Sequence, residues 1–166
     1  ELCTINSVSA SRTFVAASAV ASHFGELDVT ILSQYGNIDT RAAVGHVTRN
    51  IQIKQTGNNT FGFAVYVTGT GILIARGVRF HEGGQEASSR AALTFEGKTQ
   101  TTPSVIEGCS FTTCSGMCLS VSNSSNININ NNVFFSGRKY IVKANSVTSY
   151  NFNSNLMIGA KKSTAL

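Results

Sequence analysis

The chain has 166 residues, 42% apolar and only 13% charged, where globular proteins carry about 25% charge. That balance excludes a disordered polymer and a coiled coil, and no apolar run reaches the roughly 18–20 residues of a membrane helix. The net charge of +5 reflects scarce acids (8) more than abundant bases (13), so it permits an acidic partner without specifying one.

A single proline, Pro103, no Trp, and abundant Ser, Thr, Asn, Gly and Val favour strands and turns. The chain opens at Glu1 with no charged and apolar leader behind it, as expected of a processed product or a piece of something longer. Residues 1–44 read as an irregular strand region, with Thr13–Ala17 and Asp28–Leu32 as strands that cap or lead into a more regular region. The stretch from Val44 to Ile53 begins that regular region, residues 45–166.

Within it, short β-prone runs recur, among them Ile72–Ile74, Ala91–Phe95, Cys118–Val121 and Tyr140–Val142. Arg76–Phe80, Glu107–Phe111 and Asn130–Phe134 align without gaps, and Asn153–Met157 matches more loosely. Phe80 and Phe111 are 31 residues apart, while Phe111, Phe134 and Met157 are each 23 apart; Leu93, Leu119 and Val142 keep a similar beat. About 23 residues suffice for three short strands and three turns but not for a βαβ unit. The prediction is an all-β chain, a right-handed parallel β-helix of about five rungs.

In such a coil, side chains at equivalent positions stack. Val78, Cys109, Asn132 and Asn155 are expected to form one ladder, and Phe80, Phe111, Phe134 and Met157 the next. Successive asparagines would bond amide to amide, and other asparagines of the 123–155 tract would supply the left-handed conformation of tight corners. The extra length between Phe80 and Phe111 must leave the coil, at His81–Glu86, around Lys98–Pro103, or both.

Four cysteines, Cys3, Cys109, Cys114 and Cys118, lack the paired spacing of a zinc site. Cys109 reads as a small buried hydrophobe, with the others free or paired, and a local Cys114–Cys118 disulfide is the alternative. Asn58 and Asn123 head N-x-S/T triplets that are candidate glycan acceptors in a secreted chain. The histidines are His23, His46 and His81, and no spacing points to a triad or a metal site. His81 with Glu82 and Glu86, on a loop leaving the coil, is the most suggestive cluster; the two glutamates would be an acid/base pair for sugar cleavage, set against a plain solvated loop. Basic residues, including Arg79, Lys98, Arg138, Lys139 and Lys143, are spread along the chain, and the last three are candidate contacts for an anionic partner. The repeated Phe residues look buried, which argues against a nucleic-acid face.

Asp39–Ile53, which reads D-T-R-A-A-V-G-H-V-T-R-N-I-Q-I, resembles the R-A-E-V-G-L-L-(S/T)-R-N-I signature of the fibrocystin-like proteins. Ser18–Glu26, Gly77–Phe80 with Gly83–Gln85, Ile106–Phe111 and Asn131–Val133 are similar to further family motifs, in order, so the resemblance covers roughly residues 10–140. It implies a large extracellular or membrane-tethered protein with parallel β-helix repeats, related to hyaluronan-binding proteins. The family's Y-P-I-H-F-H stretch corresponds to Arg90–Glu96, which has neither histidine, and its later histidine is replaced within Leu119–Ser122. The resemblance therefore implies scaffold without site.

The expected function is a non-catalytic structural or adhesion module of a secreted or cell-surface protein, ciliary surfaces included, without cofactor or metal. Its expected partners are protein subunits or matrix glycans, with end-to-end assembly as a further mode. The alternative is a carbohydrate-active or acidic-glycan-binding β-helix.

Overall fold

The structure, a computed structural model, describes residues 5–8, 14–16, 45, 47–56, 62–138 and 140–159. The chain divides into two compact units, Glu1–Val44 and Gly45–Leu166. In the first, β1 (Ile5–Val8) pairs antiparallel with β2 (Phe14–Ala16). The expected strand at Asp28–Leu32 lies outside the described residues.

The second unit is a parallel β-helix. One sheet stacks β3 (Ile51–Lys54), β6 (Val78–His81), β9 (Ser110–Thr112), β11 (Val133–Phe135) and β13 (Leu156–Ile158), all in parallel. A second stacks β4 (Val65–Thr68), β7 (Ala91–Glu96) and the first halves of β10 (Met117–Asn130) and β12 (Val142–Asn153). The third stacks β5 (Ile74–Arg76), β8 (Ser104–Glu107) and the second halves of β10 and β12. Five strands on the first face enclose four turns, which reconciles about five rungs with a coil of four turns. Among the described residues no helix is long and apolar enough to cross a membrane.

The corners explain the composition. The strand registers place Gly77, Gly108, Asn131 and Ser154 in one column, and all four have φ between 53° and 61°. Glu82, Thr113, Ser136 and Gly159 form a second left-handed column, and Gly69, Gly97, Asn123 and Ser146 a third. Asn126 and Ser149 are left-handed too. One or two such residues per corner turn the chain from sheet to sheet, so the Gly, Asn and Ser content is a product of the coil.

Both predicted excursions are present. The offset between stacked partners falls from 31 at His81–Thr112 to 26 at Ala91–Met117 and 23 at Ser104–Ile127. His81 itself, however, closes β6 rather than lying on the excursion. The first excursion is tied at its neck by reciprocal bonds between Gln85 and Arg90 (2.9 and 3.0 Å). In the second, Lys98 is not a surface base: it is 1% exposed. Its Nζ donates to the carbonyls of Gln100 (3.2 Å), Thr102 (3.0 Å) and Ser125 (3.4 Å), which satisfy the buried ammonium, while burial lowers its pKa.

The phenylalanine ladder fills the core. The rings of Phe80 and Phe111 stack at 4.6 Å and 7°, and those of Phe111 and Phe134 at 4.8 Å and 13°. Met157 is in register beneath Phe134 but is 51% exposed, which corrects its assignment to the core. It sits on the last described turn, where no described strand pairs on the far side of β13, and Phe152 packs on Phe134 instead (6.1 Å). Val78 is half-buried against the core. Leu93, Leu119 and Val142 also stack in register.

Beside the rings runs the polar ladder. Asn132 Oδ1 accepts from Cys109 N–H (2.8 Å), and its Nδ2 donates to Ile106 O (2.9 Å) and to Asn155 Oδ1 (3.0 Å). Asn155 repeats the pattern one turn on, accepting from Asn132 N–H (2.9 Å) and donating to Ile129 O (2.8 Å). Cys109 imitates an asparagine one turn earlier: its Sγ meets Val78 N–H at 3.5 Å and Ala75 O at 3.4 Å.

Outside the first sheet, residues 45 and 47–50 form a strap. A Cβ on Gly45 would stand 2.8–2.9 Å from the Leu156 and Val133 side chains, so only glycine passes there. Ser110 Oγ donates to Val47 O (2.6 Å), and Arg49 Nε to Gly108 O (2.6 Å).

Tyr150, in the last turn, has a buried hydroxyl without a hydrogen-bond partner among the described residues, and burial pushes its pKa up to about 12. The folded state thus prefers neutral phenol, and this preference costs stability as pH rises from about 10, where the unfolded phenol ionises. Tyr150→Phe is expected to raise stability by about 1 kcal/mol at neutral pH and to flatten the loss above pH 10. Urea unfolding of both proteins between pH 7 and 11 measures this. Because Lys98 has the opposite slope below 10.5, the comparison must be with the wild type and not with a flat line.

Candidate functional site

Alternation along β6 turns Phe80 inward and places Arg79 and His81 on either side of it, half-buried. Stacking sets Thr112 next to His81, one turn on. Arg79 Nε donates to Thr112 Oγ1 (3.1 Å), and Thr112 Oγ1 lies 2.8 Å from His81 Nδ1, which Arg79 Nη2 also approaches (3.3 Å). Arginine only donates, so Nδ1 is an acceptor: the Thr112 hydroxyl donates a hydrogen bond to it, and the imidazole proton is assigned to Nε2. Nε2 faces Glu82 Oε1 at 3.5 Å. The His81 pKa is lowered, first by burial and then by Arg79, with Glu82 opposing, so the ring is neutral at pH 7.

Glu82 occupies a left-handed corner (φ 60°) and lines an open cleft with Thr113, Ser115 and Arg138. The cleft is assembled from three successive turns. Its wall is braced by Ser115 N–H to Gly83 O (2.9 Å) and Arg138 N–H to Cys114 O (3.2 Å). A Cys114–Cys118 disulfide closes the loop that carries Ser115. Of the alternatives open for the cysteines, Cys114 and Cys118 pair, while Cys109 is a buried free thiol whose pKa burial raises. Among the described residues no three His, Cys, Asp or Glu side chains cluster as metal ligands.

The two glutamates of the expected acid/base pair have different partners. Glu86, on the first excursion, forms an ion pair with Arg138 Nη1 (3.6 Å), and Glu82 faces His81. The anionic-contact candidates also separate. Arg138 belongs to the cleft and is matched by Glu86, whereas Lys143 stands exposed in an outer column with Tyr66, Thr94 and Ser120. Lys139 and Asn58 lie outside the described residues, as do His23 and His46. Asn123 is exposed at its corner. Sequence reading missed Thr112, Thr113 and Ser115. Only the 31-residue register could have placed them beside His81 and Glu82.

No family model matches the chain, and no curated protein or solved structure matches it either.

Proposed function

We propose that this chain is a structural and adhesion module of a secreted or cell-surface protein of the fibrocystin-like kind, presenting rigid sheet faces to protein or glycan partners. The observation that carries this reading is the ordering of outer side chains from turn to turn. Asn151 Nδ2 donates to Asn128 Oδ1 (2.8 Å), and Asn153 N–H donates to Asn130 Oδ1 (3.3 Å), each pair one turn apart. Arg76 and Glu107 likewise pair across turns at 3.0 Å. Side chains already held by neighbours lose little further freedom when a partner docks. The Cys114–Cys118 disulfide favours an oxidising compartment, and the exposed Asn123 is accessible to glycosylation there.

A second reading, a carbohydrate-active or acidic-glycan-binding β-helix, draws on the alignment of Thr112, His81 and Glu82 and on the net charge of +5. The two share a compartment; the second adds sugar cleavage or a dedicated acidic-glycan site. The test is surface labelling of intact cells that make the natural protein, followed by peptide N-glycosidase treatment and incubation with glycans. Surface label, a mass decrease that Asn123→Gln reduces, and intact glycans are expected. A cytosolic protein unchanged by the glycosidase sinks the reading, and release of sugar fragments favours the second.

A further inference from the structure

We propose that the cleft lined by Glu82, Thr113, Ser115 and Arg138 binds a ring of a neutral sugar, and not a uronate or sulfated one. This rests on the reading of the chain as a glycan-interacting module and assigns that interaction a place and a chemistry. The lining offers a carboxylate that only accepts hydrogen bonds, a guanidinium that only donates, and two hydroxyls that do both. Adjacent sugar hydroxyls, each donor and acceptor at once, match this mixture.

Charge decides the class of sugar. Arg138 already has Glu86 as its counter-ion at 3.6 Å. Among the described residues only His81 lies within ion-pair distance of Glu82, and it is neutral, its Nδ1 accepting from Thr112 and Arg79. Arg79 and Lys54, the other cations near His81, belong to the sheet face and do not line the cleft. An anionic sugar would therefore meet an uncompensated carboxylate at the point of contact.

The site is also organised before any ligand arrives. The left-handed corner fixes the Glu82 backbone, the His81 Nε2–H faces its carboxylate, and the disulfide loop holds Ser115. A carboxylate held in this way loses less freedom on binding than a solvated glutamate.

The experiment is an amide NMR titration of the full chain against two sets of probes: neutral hexose and N-acetylhexosamine oligosaccharides, and hexuronate and sulfated oligosaccharides. Saturable shifts of Gly83, Thr113, Ser115 and Arg138 amides with a neutral oligosaccharide are expected. Glu82→Gln should weaken binding about tenfold or more at unchanged melting temperature, and Lys143→Gln should leave it intact. Equal or tighter uronate binding at these amides overturns the proposal. Shifts confined to the Lys143 face, or binding indifferent to Glu82→Gln, overturn the cleft while leaving a glycan-binding module. Absence of binding by every probe overturns both the cleft and the glycan half of the functional reading.

Discussion

Phe111→Ala should destabilise the solenoid by about 3–5 kcal/mol in urea unfolding, the cost of deleting a large buried ring and leaving a cavity. Phe111 is the middle ring of the stack, 4.6 Å from Phe80 and 4.8 Å from Phe134, and is fully buried. Relaxation from one side cannot fill the gap, because both neighbouring rings are held by their own strands. That loss is a large share of the ~5–15 kcal/mol that stabilises a typical domain. Phe111→Leu, which keeps most of the volume, is the variant to measure if the alanine protein does not fold. Met157→Ala, at the equivalent position of the exposed last turn, should cost under about 1 kcal/mol. Equal losses at Phe111 and Met157 would mean that the stack is not the core of the coil.

Asn132→Ala should cost about 2–4 kcal/mol although it removes no apolar group. The substitution leaves Cys109 N–H buried without its acceptor and deprives Asn155 of its amide partner. Leucine, closer in size, should not rescue it, since the missing acceptor is what matters. Cys109→Asn is the informative counterpart. Its amide would take over the contacts that Sγ makes to Val78 N–H and Ala75 O, so stability should stay within about 1 kcal/mol of the wild type. A Cys109→Asn protein as damaged as Asn132→Ala would refute the equivalence of the two positions.

The ladders were legible because stacking repeats one chemical demand every turn. A ring upon a ring and an amide upon an amide leave a spacing that survives substitution elsewhere. The corners were only half legible. The left-handed conformation is met by Gly108 and Asn131, which advertise it, but also by Glu82, Thr113 and Ser136, which do not. The cleft was invisible for a related reason. Its lining is drawn from three turns, and two excursions shift the register by eight residues between the first and the last of them. Lys98 shows the limit of reading charge from composition: whether a lysine is a surface base depends on three carbonyls that its own loop and the next turn fold over it. Arg49, the second arginine of the family-like stretch, holds the strap to a corner carbonyl, a mechanical role that the motif alone does not announce.

That strap changes how the molecule should come apart. A stack whose turns touch only their neighbours can fray from either end, one turn at a time. Here Gly45 lies on Val133 and Leu156, Val47 meets Ser110, Arg49 grips Gly108, and Ile51 then pairs with Val78. A few consecutive residues thus run as a longitudinal tie from the last turn to the first. Peeling away the final turn strips one anchorage from the tie that leads into the opening strand, so loss at one end is felt at the other. Mechanically the coil behaves less like a pile of coins than like a bundle laced along its side, and its turns should melt as one.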